Sequence, residues 1–232
     1  MKLRFGILTI LLFAVFAHEG RARAETIFFN GFGSGAIDIF ETAETGAQFY
    51  GRRNFPTFPV NSNGLNFYFH RDTNTGVLSL GIIVDDRGDG TGGNLSGTIT
   101  GLGPGASVAF ADDAGEISIT APGVAVFNYN WVSCCTDGGI ITGLDADNLN
   151  FTINITSASG LTGTYLIDPS GTTQIAGAPA IGASLTVAAN PEPSTWALFI
   201  LGFFGCAFAM KQRRRDLRRV IRLEPAARSA NH

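Results

Sequence analysis

The stretch from Glu25 to Asn190 consists of short apolar, aromatic and β-branched runs, separated by breaks rich in Gly, Asn, Asp and Pro. Strand-length runs at this spacing are typical of a β-sandwich or a β-barrel. Within Leu65–His70, the odd-numbered side chains would face one side of a strand and the even-numbered ones the other. No long segment has the apolar period of a helix. The pattern therefore predicts an all-β domain, an antiparallel β-sandwich of about nine to eleven strands with jelly-roll-like topology.

The boundaries of the predicted strands follow the apolar runs. They are Thr26–Phe29, Ala36–Phe40, Leu65–His70, Val77–Val84, Ser96–Thr100, Ser107–Phe110, Glu116–Thr120, Val124–Trp131, Leu149–Thr156, Gly163–Ile167 and Ser184–Val187. Asn63-Gly64, Asp89-Gly90 and Asp137-Gly138-Gly139 are predicted as tight turns, since these residues accept the positive φ angles that such turns need. No internal period typical of solenoids repeats, so we exclude a repeat architecture.

The same stretch is acidic, although the whole chain is nearly neutral. Glu25–Asn190 contains 15 Asp and Glu residues against four Arg and no Lys, a net charge of −11. Nucleic acids and anionic lipids need a positive patch that neutralises phosphate, and this composition offers none. It therefore argues against nucleic acid as a partner and leaves cations and neutral polymers.

The first 24 residues have the three parts of a secretory signal peptide. Lys2 and Arg4 supply the positive start, Phe5–Ala17 is apolar, and Ala22 and Ala24 form a small-x-small cleavage site. We expect export of the chain and cleavage after Ala24. An uncleaved anchor is the alternative, and it also places the middle of the chain outside the cytoplasm.

The C-terminal part has the pattern of a membrane stop. Trp196–Met210 contains no charged residue and would span about 22 Å as a helix, so we predict a transmembrane helix there. A basic stop-transfer cluster follows it, made of Lys211, Arg213, Arg214, Arg215, Arg218 and Arg219. Positive charge stays preferentially in the cytoplasm, which places the residues before Pro191 outside. A buried core helix is the alternative.

The motif Pro191, Glu192 and Pro193, together with the apolar run and the arginine cluster, resembles the sorting signal of PEP-CTERM proteins, a family of exported bacterial proteins. The resemblance implies that an exosortase-like processing enzyme recognises this segment at the inner membrane and removes the tail. It also implies a transient inner-membrane intermediate, followed by release to the cell envelope or the extracellular space. Only the last part of the chain carries the resemblance, which says nothing about the chemistry of the middle domain.

These segments give a linear organisation. The predicted order is a signal peptide at 1–24, a β-sandwich ectodomain at 25–170, a last strand and spacer at 171–190, the sorting signal at 191–219 with its transmembrane helix at 196–210, and a cytoplasmic tail at 220–232. The segment 171–190 is rich in Ala, Gly, Pro and Thr, a composition that suits a spacer.

Cys134 and Cys135 are adjacent, and they are the only cysteines between the two terminal segments. In an oxidising compartment they are a candidate disulfide that would make a rigid turn. A redox-active or intermolecular disulfide and two ordinary thiols are the alternatives. A zinc site is not predicted, because His70 is the only histidine of the exported part and no second cysteine pair exists.

A glycine-rich loop clusters three carboxylates after a predicted strand. Asp85, Asp86 and Asp89 are hard oxygen donors, which suit Ca²⁺, so they are the candidate metal ligands. Their spacing is not that of an EF-hand, and a solvated turn is the alternative. No other cofactor is predicted. Weaker versions of the pattern occur at Asp112-Asp113 with Glu116 and at Asp145 with Asp147.

No catalytic constellation is visible in the sequence. His70 would have to serve any Ser-His-Asp or Cys-His mechanism, but a histidine on the polar face of a strand is usually a surface residue and no Gly-x-Ser-x-Gly motif is present. We therefore predict a non-catalytic cell-surface or matrix protein that binds extracellular polysaccharide or Ca²⁺. Tyr50, Tyr68, Tyr129 and Trp131 are the candidate aromatic residues for stacking on sugar rings. A secreted glycoside hydrolase that uses paired carboxylates is the alternative.

Replacing Pro191, Glu192 and Pro193 by alanine should keep the C-terminal segment on the protein, because the processing enzyme would lose its recognition motif. With the motif intact, the mass of the protein from envelope and medium should lack Met1–Ala24 and the segment beyond the motif. Retention of Trp196–His232 in both versions would contradict sorting and indicate an ordinary membrane anchor.

Overall fold

The computed structural model describes residues 26–54, 58–85, 90–133, 135–189, 202–206 and 210–211. Arg23–Asn190 forms one compact unit, and its described part contains 14 β-strands. They are β1 (Thr26–Gly31), β2 (Gly35–Asp38), β3 (Phe40–Thr42), β4 (Gly64–Asp72), β5 (Leu78–Val84), β6 (Gly93–Thr100), β7 (Ser107–Ala111), β8 (Ile117–Ala121), β9 (Val124–Trp131), β10 (Asp137–Leu144), β11 (Asn150–Ser159), β12 (Gly163–Asp168), β13 (Gly171–Gly177) and β14 (Ser184–Ala189). A short helix α1 (Gly46–Tyr50) and a 3-10 helix (Gly51–Asn54) lie between β3 and β4.

The strands form two sheets that differ in pairing. The first sheet has the order β2-β1-β14-β11-β6-β9-β8, and all its neighbouring strands are antiparallel. The second sheet has the order β13-β12-β4-β5-β10-β7, and β3 also pairs with β4. The prediction of an all-β, sandwich-like fold is confirmed. The second sheet is mixed rather than wholly antiparallel, because β3 and β12 both run parallel to β4.

The main hydrophobic core lies between the two sheets. Each sheet contributes the inward side chains of its strands, and the rings of Phe29 and Phe67, one from each sheet, have their centroids 5.8 Å apart. Ile99, Phe127 and Ile153 of the first sheet are fully buried in the same cluster. Because removing apolar surface from water is the largest favourable term in folding, at roughly 25 cal/mol per Å², this layer holds the two sheets together.

A second hydrophobic cluster lies on the outer face of the second sheet. Phe49 and Tyr50 of α1 pack there with Phe58 against Tyr68 and Ile83 of the sheet. The rings of Phe58 and Tyr68 meet edge to face, with their centroids 5.0 Å apart. Since this cluster and the main core cover opposite faces, every residue of β4 and β5 is buried.

The alternation predicted for Leu65–His70 is confirmed, because successive side chains point to opposite faces of the sheet. The predicted surface position of His70 is wrong. The odd-numbered side chains enter the main core, and Tyr68 enters the second cluster. Asn66 and His70 are buried as well. The reason is that α1 and Phe58 cover a face that the sequence pattern alone would leave to solvent.

Helix α1 is too short to produce a periodic signal in the sequence, but its start is marked locally. The Thr45 hydroxyl accepts a hydrogen bond from the Gln48 N–H at 3.3 Å, and the Gln48 side-chain oxygen accepts one from the Thr45 N–H at 2.9 Å. This reciprocal pair is a capping box, which satisfies backbone donors that the helix leaves free. It fixes the helix so that Phe49 and Tyr50 face the second sheet.

All predicted apolar runs overlap a strand, and Val124–Trp131 coincides with β9. The prediction lacks β10 and β13. Strand β10 begins at Asp137, where the sequence indicated a turn, and β13 lies in the segment predicted to hold one strand and a spacer. That segment, 171–190, contains two strands, and β14 pairs with β1 and β11 inside the first sheet.

The predictions for both chain ends fall mostly outside the described residues. Outside them lie the signal peptide 1–24 and Ala22, Ala24, Pro191, Glu192, Pro193, Arg213, Arg214, Arg215, Arg218 and Arg219. Residues 202–206 and 210–211 are helical, and Lys211 is exposed. In the part of the chain that the structure describes, we find no helix with the length and apolar character needed to cross a membrane.

Replacing Gly81 by alanine should destabilise the domain by about 1–3 kcal/mol. The Tyr68 ring lies directly over Gly81, its cross-strand partner, and an added Cβ would clash with that ring. Gly177→Ala is the matched control, because Gly177 is also in a strand but has no atom within 4 Å of the added Cβ. Urea unfolding of both variants measures the difference. Equal unfolding midpoints would show that the Tyr68–Gly81 contact does not constrain the sheet.

Candidate functional site

The outer face of the first sheet is covered by hydroxyl and amide side chains. In β6, β9, β11 and β14, these side chains alternate with core residues and therefore point away from the core. We name the following set the polar face: Asn30, Asn94, Ser96, Thr98, Thr100, Ser118, Thr120, Asn128, Asn130, Asn150, Thr152, Asn154, Ser157, Ser184 and Thr186. All of its members are exposed or partly exposed.

The strand register arranges the polar face in rows that cross the sheet. Asn154 of β11 lies opposite Ser184 of β14 and Thr98 of β6, and Thr98 lies opposite Val126 of β9. A second row runs through Asn30, Thr186, Thr152, Thr100 and Val124. Neighbouring strands lie about 4.8 Å apart, and rows two residues apart along a strand are separated by about 6.7 Å. The polar face thus presents hydrogen-bonding groups at regular intervals.

Hydrogen bonds between neighbouring strands fix several of these side chains. The Ser96 hydroxyl donates to the Asn128 side-chain oxygen at 2.6 Å, and the Ser157 hydroxyl donates to that of Asn94 at 2.7 Å. The Asn94 amide in turn donates to the Ser159 hydroxyl at 2.9 Å. Side chains held in this way lose less conformational entropy when a ligand binds, and their remaining donors and acceptors stay directed outward.

The polar face is neutral, although the domain is strongly acidic. No charged residue occurs in β1, β14, β11, β6, β9 or β8, and Asp38 lies on the edge strand β2. Phe28 and Val126, each 37% exposed, add apolar surface among the hydroxyls and amides. A surface of this composition suits an uncharged ligand with both hydroxyl groups and apolar patches.

The aromatic residues predicted to stack on sugars are not available for this role. Tyr50, Tyr68, Tyr129 and Trp131 are all buried, the most exposed being Trp131 at 4%. Tyr129 and Trp131 belong to the main core, and Tyr50 and Tyr68 belong to the second cluster. The prediction is wrong because these rings lie on core-facing positions of their strands or between α1 and the second sheet.

His70 is a packed residue of the second sheet. Its ring stacks on Phe49 with centroids 4.3 Å apart, and its Nε2 lies 2.9 Å from the Thr42 hydroxyl oxygen. Burial lowers the pKa of His70 to about 4, and the nearby Glu44 and Asp72 offset only part of that effect. The imidazole is therefore neutral at ordinary pH, and its described contacts are structural.

The predicted calcium loop is described only in part. Asp86 and Asp89 lie outside the described residues. Asp85 is buried, and its carboxylate accepts hydrogen bonds from the Asn63 N–H at 2.7 Å and from the Thr91 hydroxyl at 3.4 Å. These bonds tie the end of β5 to two neighbouring loop residues, and the calcium site at Asp85, Asp86 and Asp89 stays a prediction.

The cysteine pair is also described in part. Cys135 is disulfide-bonded and exposed, Cys206 is free, and Cys134 lies outside the described residues. The Cys134–Cys135 disulfide therefore stays a prediction. The Cys135 N–H donates to the Val132 carbonyl at 3.0 Å, which is consistent with a tight connection between β9 and β10.

Comparison of the chain with protein-family models, characterised proteins and solved structures gave no match. The resemblance of Pro191–Arg219 to a sorting signal therefore stays a prediction from the sequence. Any function of the middle domain has to be argued from its own geometry, which is that of a two-sheet, sandwich-like domain with one open, neutral face.

The free energy of unfolding should fall as the pH is lowered from about 6.5 to about 4. The unfolded state binds a proton at His70 near pH 6.5, whereas the folded state binds it only near pH 4. His70→Gln should remove this component, about 2–3 kcal/mol, while keeping a polar group near Thr42. Urea unfolding of the wild type and the variant at pH 7.5 and 4.5 measures it. An unchanged pH dependence in His70→Gln would contradict the assignment.

Proposed function

We propose that this chain is an exported, non-catalytic protein of the cell surface or extracellular matrix that binds neutral polysaccharide through the polar face. The observation that carries the proposal is the continuous uncharged face on a domain of net charge −11. The jelly-roll-like topology and the sorting route remain predictions from the sequence. In that route, the exosortase-like enzyme acts at the inner membrane before transfer to the envelope.

Polysaccharide hydroxyls both donate and accept hydrogen bonds, as the serine, threonine and asparagine side chains of the polar face do. The apolar faces of sugar rings find partners in Phe28 and Val126. Each contact is weak, but a polymer engages many of them at once, because the rows repeat across the sheet. Regular rows of fixed side chains therefore favour a polymeric ligand over a single sugar.

The acidic character of the domain favours a neutral polymer. A polyanion would be repelled by the net charge of −11 on Glu25–Asn190, and it would find no lysine there. A polycation would gain little on a face without charges. A neutral polymer avoids both problems and suits the hydroxyl and amide groups.

The described carboxylates give the glycosidase alternative no specific support. Glycosidases hold their two carboxyl groups about 5–9.5 Å apart, so that a sugar and, in many cases, a water fit between them. Glu116 and Asp137 form a direct side-chain hydrogen bond with each other. This arrangement leaves no space for a glycosidic bond between them, so Glu116 and Asp137 are not a candidate catalytic pair.

Migration of the purified protein should be retarded in a native gel that contains a neutral glucan, mannan or galactan, and not in one that contains polygalacturonate. Asn154→Asp should weaken binding about tenfold, since it places a charge in the centre of the polar face without changing shape. Gln174→Glu is the matched control, because it makes the same chemical change at an exposed position of the second sheet. Polymer-free gels correct for charge. Absence of retardation by every neutral polymer, or equal retardation of both variants, would refute the proposal.

A further inference from the structure

Three carboxylates meet where the two sheets are joined. The loop between β7, an edge of the second sheet, and β8, an edge of the first, carries Asp113 and Glu116. Asp137 is the first residue of β10. One oxygen of each of the three side chains lies within 4.8 Å of the others. We name these three residues the acidic cluster.

Backbone hydrogen bonds to both sheets hold the acidic cluster in place. The Asp112 N–H donates to the Gly138 carbonyl at 3.0 Å, and the Asn128 N–H donates to the Glu116 carbonyl at 2.7 Å. The Asn130 N–H donates to the Asp137 carboxylate at 2.9 Å. The carboxylates are thus positioned by β9 and β10 rather than by a freely moving loop.

The acidic cluster brings three carboxyl groups into close contact. The ion pairs Arg52–Glu44 and Arg71–Glu41 are elsewhere in the domain. Burial and the hydrogen-bonded Asp137 together raise the pKa of Glu116 to about 8, and burial also raises the pKa of Asp137. Because oxygens of all three side chains lie within 4.8 Å of one another, a bound cation would relieve their mutual repulsion.

A buried hydroxyl provides an independent indication of a ligand. Tyr129 is completely buried, and its hydroxyl has no hydrogen-bond partner among the described residues. A Cβ added to Gly139 would lie 3.4 Å from that hydroxyl, so the phenol ends at the start of β10, close to Asp137. Burial raises the pKa of Tyr129, and the nearby Tyr50, Glu116 and Asp137 raise it further. A buried hydroxyl without a hydrogen-bond partner costs about 1–3 kcal/mol, so a hydroxyl that ends beside three carboxylates favours a ligand bound between them.

We propose that Asp113, Glu116 and Asp137, with the Tyr129 hydroxyl, form a binding site for a hard divalent cation of the Ca²⁺ class. Carboxylate and hydroxyl oxygens are ligands that Ca²⁺ prefers, and it tolerates irregular geometry. Asp113 is exposed, which leaves room for water to complete the coordination shell. The described site has no histidine or cysteine, the ligands that favour zinc and copper.

The site would act as a cross-link between the sheets. Its ligands come from the β7–β8 connection, from β9 and from β10, so one ion would tie β9 of the first sheet to β10 of the second. A ligand that binds only the folded state stabilises it by mass action. This inference is independent of the polar face and goes beyond the proposed function.

Calcium titration of the purified full-length protein, stripped of metal with EDTA, tests the site. Isothermal titration calorimetry should show one binding event, and the thermal unfolding midpoint should rise by roughly 5–10 °C at a calcium concentration about 100 times Kd. Glu116→Gln and Asp137→Asn should each weaken binding at least tenfold, since they remove a charged ligand. Tyr129→Phe should weaken it less, by about threefold.

The variants also separate a lost site from a damaged fold. In the absence of calcium, Glu116→Gln and Asp137→Asn should unfold at or above the wild-type midpoint, because each relieves repulsion within the acidic cluster. Asp38→Asn, at an exposed edge-strand position, is the matched control and should retain the calcium response. The proposal is overturned if the wild type shows no response, if Glu116→Gln and Asp137→Asn both keep it, or if only Asp86→Asn with Asp89→Asn abolishes it.

Discussion

Burial of both faces of β4 and β5, the central strands of the second sheet, is the constraint on which the rest of the domain depends. Strands β4 and β5 have no solvent face, so their polar residues need partners inside the protein. Strand β3 supplies two of these partners, because Glu41 accepts from Arg71 at 2.6 Å and Thr42 contacts His70. The parallel pairing of β3 with β4 is thus explained by the side chains that it brings to the buried strand.

The two sheets consequently have different roles. Helix α1 and Phe58 cover the second sheet, which has the structural role, while the first sheet is buried on one side only. Its outer side can vary in chemistry without loss of the core, since each outward residue alternates with a buried one. Hydroxyl and amide groups occupy these outward positions, and the same fold could in principle carry any other set there.

The sequence predicts the strands well where apolar and polar residues alternate regularly, as in Val124–Trp131. It predicts them poorly where glycines interrupt this alternation. Asp137-Gly138-Gly139 has the composition of a turn, but it forms the start of β10. Glycines occur in this strand because the Tyr129 hydroxyl lies near Gly139 on one face and the Tyr50 hydroxyl lies near Gly138 on the other. The polar face was visible as Asn, Ser and Thr at every second position of β6 and β11. Of the acidic cluster, the sequence indicated Asp113 and Glu116 as a weak calcium pattern but not Asp137, since Glu116 and Asp137 meet only through the pairing of β8 with β9 and the position of β10. Local pattern carries no information on such contacts.

The position of β14 has a consequence for the order of folding on the proposed export route. Strand β1 would leave the membrane first, but its two neighbours in the sheet are β2 and β14, and β14 is the last described strand of the domain. The first sheet could then not be completed until nearly the whole domain had been translocated, and β11 would wait for the same strand. Such distant pairing makes folding slow and leaves strand edges exposed in the meantime. A membrane anchor after β14, as the sequence predicts, would hold the chain at the translocation site during this interval, and the end of the chain would then control the timing of folding as well as the destination of the protein.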